Sequence, residues 1–272
     1  MERVRTFLKK VFNIIKRPEM RVLPGQLAFF FVLSLIPLIA LIGTIAASFN
    51  ISVAALEDAL KVALPTDVSK ILLTYVSGKG LNFNIIIFFI SAFVLASNGT
   101  HSMIITSNEI YKIECSKVIK RRMKAILMTF ILVFLIIFLL IVPVYGDSIL
   151  EIALNYTNND PRVVFLGSLY QILKYPLSIV LIYVNIKLLY MIAPDKSIAS
   201  HTTTYGAVFT TITWAVATEV YSFYVITFSN YDIFYGSISS ILILLIWVYL
   251  LSYIFVLGMA INAGERTEAL KN

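Results

Sequence analysis

Charge is scarce in this chain. Asp, Glu, Lys and Arg make up 14% of the residues, well under the roughly 25% of soluble proteins. Cysteine is scarcer still: Cys115 stands alone, which excludes an intramolecular disulfide and any cysteine cage for a metal. His101 and His201 are the only histidines, and the acids lie mostly in loops, so metal-dependent hydrolysis of RNA lacks its ligands. No HExxH, GxSxG, Walker loop or GxGxxG is present. These absences predict a protein that is not an enzyme and that carries no metal and no cofactor.

What fills the chain instead is apolar sequence, 59% of all residues. The last long run, Ile233 to Gly264, contains no ionisable Asp, Glu, Lys, Arg or His. At 1.5 Å per residue, about 20 apolar residues cross a hydrocarbon core of roughly 30 Å, so this run spans with residues to spare. Tyr231, Asp232 and Tyr235 precede it and Asn262, Glu265 and Arg266 close it, as membrane interfaces demand. Gly236, Ser237, Ser239 and Ser240 leave room for another helix at its start.

The same periodic reading gives six spans, at about 23–49, 83–105, 125–144, 175–192, 202–227 and 237–262. The predicted fold is all-α: one polytopic membrane domain over 23–264, preceded by an amphipathic basic helix at 1–22 and followed by a short tail at 265–272. Residues 50–82 read as two amphipathic helices lying on the outer face and broken at Pro65. Lys174 and Lys187 interrupt the fourth apolar run, which sets its core at 175–192 with Lys174 near the outer interface.

Charge placement fixes the orientation. With a cytoplasmic N-terminus, inner segments hold sixteen Lys and Arg and outer segments four, so both termini are predicted inside. That bias explains the net charge of +7 through topology and anionic lipid, without nucleic acid.

The wording of two runs resembles a known family. In QLAFFFVLSLIPLI, Ala28, Phe29, Ser34 and Pro37 fall in a first-span pattern, and Tyr235, Gly236, Ser237, Trp247, Tyr249, Gly258 and Asn262 fall in a last-span pattern. Both patterns are those of the YihY/BrkB membrane proteins, once mislabelled ribonuclease BN. Asn108 and Tyr111 match that family's Asn-x-x-Tyr, read first as helix-end hydrogen bonding and second as a site. Leu189, Tyr190, Pro194, Gly206, Ala207 and Trp214 match as well. Met191, Tyr205 and Ala260 depart from it, standing where arginine, proline and glutamate are common. The resemblance implies six spans, a bacterial inner-membrane location, and export or lipid handling.

Candidate functional residues follow from polarity inside spans. Glu219 is the one carboxylate deep in a predicted span, where a charged group costs on the order of 3 kcal/mol. It reads as a coupling residue, or as a group near the outer interface that meets water or Lys174. His101 and Asn98 belong to the polar inner half of the second span, and His101 reads first as a hydrogen-bonded interhelical contact and second as a ligand or proton carrier. Pro37 with Ser34 reads as a hinge or a packing kink, with the carbonyl near Leu33 left for Ser34, water or a ligand. Two functions remain open: a transporter or lipid flippase with a polar cavity between spans two and five, or a non-transporting scaffold or envelope-integrity factor working through partners.

Overall fold

The structure, a computed structural model, describes residues 11–48, 83–140, 161–196, 198–228 and 239–269. The outer-loop helices expected at 50–82 and the motif residues Tyr235 and Gly236 lie outside these residues. Six long helices make up the described chain: α1 Glu19–Ser48, α2 Phe83–Tyr111, α3 Val118–Leu140, α4 Pro161–Ile192, α5 Thr204–Phe228 and α6 Ser239–Ala269. No strand occurs among the described residues. Phe165–Ile192 and Leu242–Gly264 are the two described stretches long and apolar enough, by length and composition, to cross a membrane.

The helix boundaries have local causes. Pro18 and Glu19 open α1, a proline with no N–H to orphan and a carboxylate at the positive end of the helix dipole. At the end of α2, Ile113 N donates to Asn108 O at 2.8 Å and Lys112 N to Glu109 O at 3.3 Å, with Lys112 left-handed at φ 53°. This is a Schellman stop with lysine where glycine is usual. Pro161 begins α4, and Pro194 disfavours helix at Ala193, so α4 stops at Ile192.

Two expectations need correction. The fourth helix does not begin near residue 175: it starts at Pro161 and its apolar stretch at Phe165, with Lys174 inside it. A lysine interrupts a hydropathy count but not a hydrogen-bond ladder, and Pro176 removes only one rung. The basic segment is likewise not one surface helix ending at residue 22. Residues 11–15 are helical, a turn at 16–18 follows, and α1 runs on from Glu19. Ile14 and Met20 are buried in the core, so this segment packs on the bundle as well as presenting Phe12 outward.

The helices form a ring in chain order, with α6 packed against α5 and α1 and also crossing to α2. The core gathers at one end, where α2 and α4 finish and α3 and α5 begin. Leu27, Ile104, Met128, Ile186, Tyr190 and Phe255 meet there. That end carries the basic α2–α3 connection and is called the basic end below.

The exterior is apolar as well as the core. Ser97, Thr100, Ser107, Thr129, Thr210, Ser252 and Asn262 are buried, while Ile90, Phe130, Phe134, Phe165, Ile172 and Phe223 are exposed. Water would not leave such a surface bare, whereas lipid tails are its natural solvent. Several buried hydroxyls meet this setting by donating within their own helices, as Ser97 does to Val94 O at 2.6 Å and Thr211 to Ala207 O at 2.8 Å, while Ser102 and Thr106 are buried without a partner.

Candidate functional site

Three polar constellations sit at the basic end. The first locks α4, α5 and α6 together. Gly258 of α6 lies so close to α5 that a side chain there would strike Thr210 Oγ1 and Tyr190 OH. Those hydroxyls share a hydrogen bond of 2.7 Å, and Tyr190 OH donates to Phe255 O at 2.8 Å. Gly206 N, an orphan donor in the first turn of α5, is capped from α6 by Asn262 Oδ1 at 2.7 Å. Trp214 Nε1 donates to Leu251 O at 2.9 Å farther along the same crossing. Gly258 and Asn262, singled out in the sequence, therefore set how closely α6 and α5 approach.

The second constellation clasps the α2–α3 connection to the α4–α5 connection. Asn108 and Asp195 pair reciprocally: Asn108 Nδ2 donates to Asp195 Oδ2 at 2.9 Å, and Asp195 N donates to Asn108 Oδ1 at 2.8 Å. Ser116 N adds a third bond to Asp195 Oδ2 at 2.9 Å. Lys124 Nζ reaches Ala193 O at 2.9 Å, Pro194 O at 2.5 Å and Asp195 Oδ1 at 3.4 Å, placing a cation on the carbonyls just past α4. Burial raises the Asp195 pKa, but hydrogen bonds from Ser116 and Asn108, and then the Lys124 charge, hold it below the usual carboxylate range. Burial pushes the Lys124 ammonium down against Asp195's opposing pull. At 3.4 Å the ion pair is the lesser tie, and the hydrogen bonds carry the clasp. Tyr111 is buried beside it with Ile113 and Ile198. Asn108 thus does what a helix-end residue does, but its partner lies across the bundle.

The third constellation joins α2 to α3. Thr100 Oγ1 bonds Ala125 O at 2.8 Å and Thr129 Oγ1 at 2.9 Å. Arg122 Nη1 donates to Asn98 Oδ1 at 2.8 Å, and Nη2 to Val94 O at 3.0 Å. His101 is half-buried on α2, with Arg121 and Arg122 within electrostatic range. Arg122 was missed in the sequence, although its place at the start of α3 put it in reach of the polar inner half of α2.

The remaining sequence candidates do not assemble around Glu219. Glu219 is exposed on α5, whereas Asn98 and His101 sit on α2, and α6 packs between those helices. Ser34 is buried against α2, where a side chain at Gly99 would meet its Oγ at 2.7 Å. Its hydroxyl donates to Phe31 O at 2.8 Å rather than to the carbonyl near Leu33. Backbone helix continues through Pro37, whose side chain lies outside the described set, and Trp247 is half-buried on α6. No group of three or more metal-ligating side chains occurs among the described residues.

Comparison with known proteins gives the family of the chain. A family model described as virulence factor BrkB matches residues 11–271. YfkH of Bacillus subtilis strain 168, a protein described as ribonuclease-like, is 31% identical over 262 residues, covering 95% of this chain and 94% of its own. A UPF0761 membrane protein of Kangiella koreensis is 33% identical over 93 residues, 34% of this chain and 23% of that one. One from Alteromonas mediterranea is 33% identical over 85 residues, 31% of this chain and 29% of its own. No solved structure matches significantly. With a family match over nearly its whole length, a full-length relative and an apolar exterior, the chain is a membrane protein and belongs to the virulence factor BrkB family.

Proposed function

We propose that all six helices cross a bacterial inner membrane, with the basic end and both termini cytoplasmic, and that the protein moves a lipid or other amphiphile along its bundle surface. One observation carries the reading. Glu219 is exposed on α5 beside exposed Val216, Val220 and Phe223, and no other Asp or Glu lies within the apolar stretches of the described helices. It stands about 22 Å along the helix from Thr204. A carboxylate facing lipid at that depth is costly unless it is neutral or meets a polar headgroup or water. An amphiphile with a polar head and an apolar tail supplies both halves of that surface. No enzymatic step and no cofactor is part of this reading, and oligomeric state does not enter it.

A second reading has its own support: Glu219 faces outward and, among the described residues, shares no cavity with Asn98 and His101, which fits a scaffold as well. The polar groups at the basic end are largely engaged within the bundle, and the Asn108–Asp195 clasp ties that end shut, which suits a non-transporting scaffold or envelope-integrity factor. Reconstitution in liposomes with fluorescent phospholipids separates the two. Movement of lipid between leaflets is expected with the wild type, to depend on a proton gradient, and to be lost in Glu219→Gln, while Glu57→Gln retains it. Full activity of Glu219→Gln removes the site assignment, and no movement under any gradient leaves the scaffold.

A further inference from the structure

The described cations of the basic end differ in how their charge is met. Lys112 bridges Glu19 at 2.9 Å and Glu109 at 3.1 Å, and Lys124 has Asp195. Arg121 and Arg122, consecutive near the start of α3, have no carboxylate partner among the described residues, as is also true of exposed Lys117 and Lys120. Arg122 rests on two neutral oxygens, Asn98 Oδ1 and Val94 O, and keeps further N–H donors unspent. Arg121 Nε is buried without a hydrogen-bond partner. A buried guanidinium donor without an acceptor is costly, and two adjacent uncompensated cations repel each other. Both guanidinium groups lie within electrostatic range of His101, and an anion within reach of both relieves both penalties.

The location narrows the choice of anion. Arg122 reaches back along α2 to Val94 and Asn98, so its guanidinium lies where the exposed apolar surface of Leu95, Leu127 and Phe130 begins. Half-buried His101, one turn beyond Asn98, lies within electrostatic range of the same pair of charges. A guanidinium offers paired, parallel donors that match phosphate geometry. We propose that Arg121 and Arg122, with Asn98 holding Arg122 in place and His101 at the edge, form a phosphate-binding site between α2 and α3. The chemistry is that of a phosphate mono- or diester at the cytoplasmic interface, and it stands whether or not the protein moves lipid.

The test follows thermal unfolding of the purified full-length protein in neutral detergent micelles during titration with short-chain phosphatidylglycerol or with inorganic phosphate. The wild-type midpoint is expected to rise saturably. The half-saturating concentration should increase about tenfold or more in the Arg121→Gln/Arg122→Gln double variant. It should change less than about twofold in Lys117→Gln/Lys120→Gln, which removes exposed charge nearby. A rise with phosphatidylglycerol alone assigns the phosphate to a lipid headgroup, and an equal, competing rise with inorganic phosphate assigns it to the free ion; both support the site. Absence of any rise in the wild type, or equal weakening by the lysine and arginine pairs, overturns it. If the double variant does not fold, Arg122→Lys keeps the charge without the fork: weakening of about threefold supports the site, and unchanged binding overturns it.

Discussion

Gly258→Ala is expected to destabilise the protein by about 3 kcal/mol, because α6 and α5 cannot close on each other with a methyl group between them. The added carbon would meet Thr210 Oγ1 and Tyr190 OH and stand 3.0 Å from Gly206 O. Neither hydroxyl can swing aside freely, since they bond each other and Phe255 O. The helices must therefore separate, which also stretches the Asn262 cap on Gly206 N at 2.7 Å. On the scale of soluble proteins this size, the loss lowers the unfolding midpoint by on the order of 10 °C. Thermal unfolding in detergent measures it. Thr210→Ala removes the first obstacle, so the double variant should be less destabilised than the sum of the two single ones. Strict additivity would mean that the close approach of α5 and α6 is not what Gly258 provides.

Asp195→Ala is the other large effect. It strips acceptors from Asn108 Nδ2, Ser116 N and Lys124 Nζ together. Breaking a buried charge pair costs about 3–5 kcal/mol, but the Lys124 side chain is 25% exposed and keeps two carbonyls, so about 2–3 kcal/mol is the better expectation. The carboxyl also gives the loss a pH signature. Its folded pKa is depressed, so its contribution is fully present above the unfolded value near 4 and is lost as pH falls through the lower folded value. Asp195→Asn, which keeps the shape and one acceptor, should flatten the acid limb of a stability-against-pH curve below about pH 4. An unchanged acid limb would remove Asp195 from the clasp.

Much of this architecture was legible in the sequence because lipid imposes a simple rule: spans must be apolar and about 20 residues long. The long apolar runs became long helices with ends within several residues of those expected at most boundaries. The fourth differs because Lys174 interrupts the apolar run without breaking the helix, since a long side chain can leave the backbone intact and carry its charge to an interface. Asn108 and Tyr111 were readable as a helix end, since a chain leaving α2 must satisfy its last carbonyls. Asp195 was not readable as the partner, being 87 residues away and joined only by tertiary packing.

The polar residues of α2 and α5 do not meet each other, for a similar reason. Their hydroxyls and amides signal an inward face, but not which helix that face meets, and α6 takes the place between them. Gly258 and Gly206 were visible as motif residues, while the reason for them, contact of two backbones beneath a hydroxyl pair, exists only in three dimensions. Hydropathy likewise could not separate Arg121 and Arg122 from Lys117 and Lys120, because what distinguishes them is the buried Nε of Arg121 and the reach of Arg122 onto α2, both products of packing.

The most direct test of a six-span bundle with its basic end in the cytoplasm is labelling by an impermeant thiol reagent. Native Cys115 is exposed on the basic end and serves as the inner reporter. Single cysteines introduced as Ser69→Cys, Ser148→Cys and Ser229→Cys in a Cys115→Ser background report the three opposite connections. All three should label in intact spheroplasts while Cys115 in the wild type labels only in inverted vesicles. Labelling of Cys115 from outside, or of any of the three only in inverted vesicles, would contradict the arrangement.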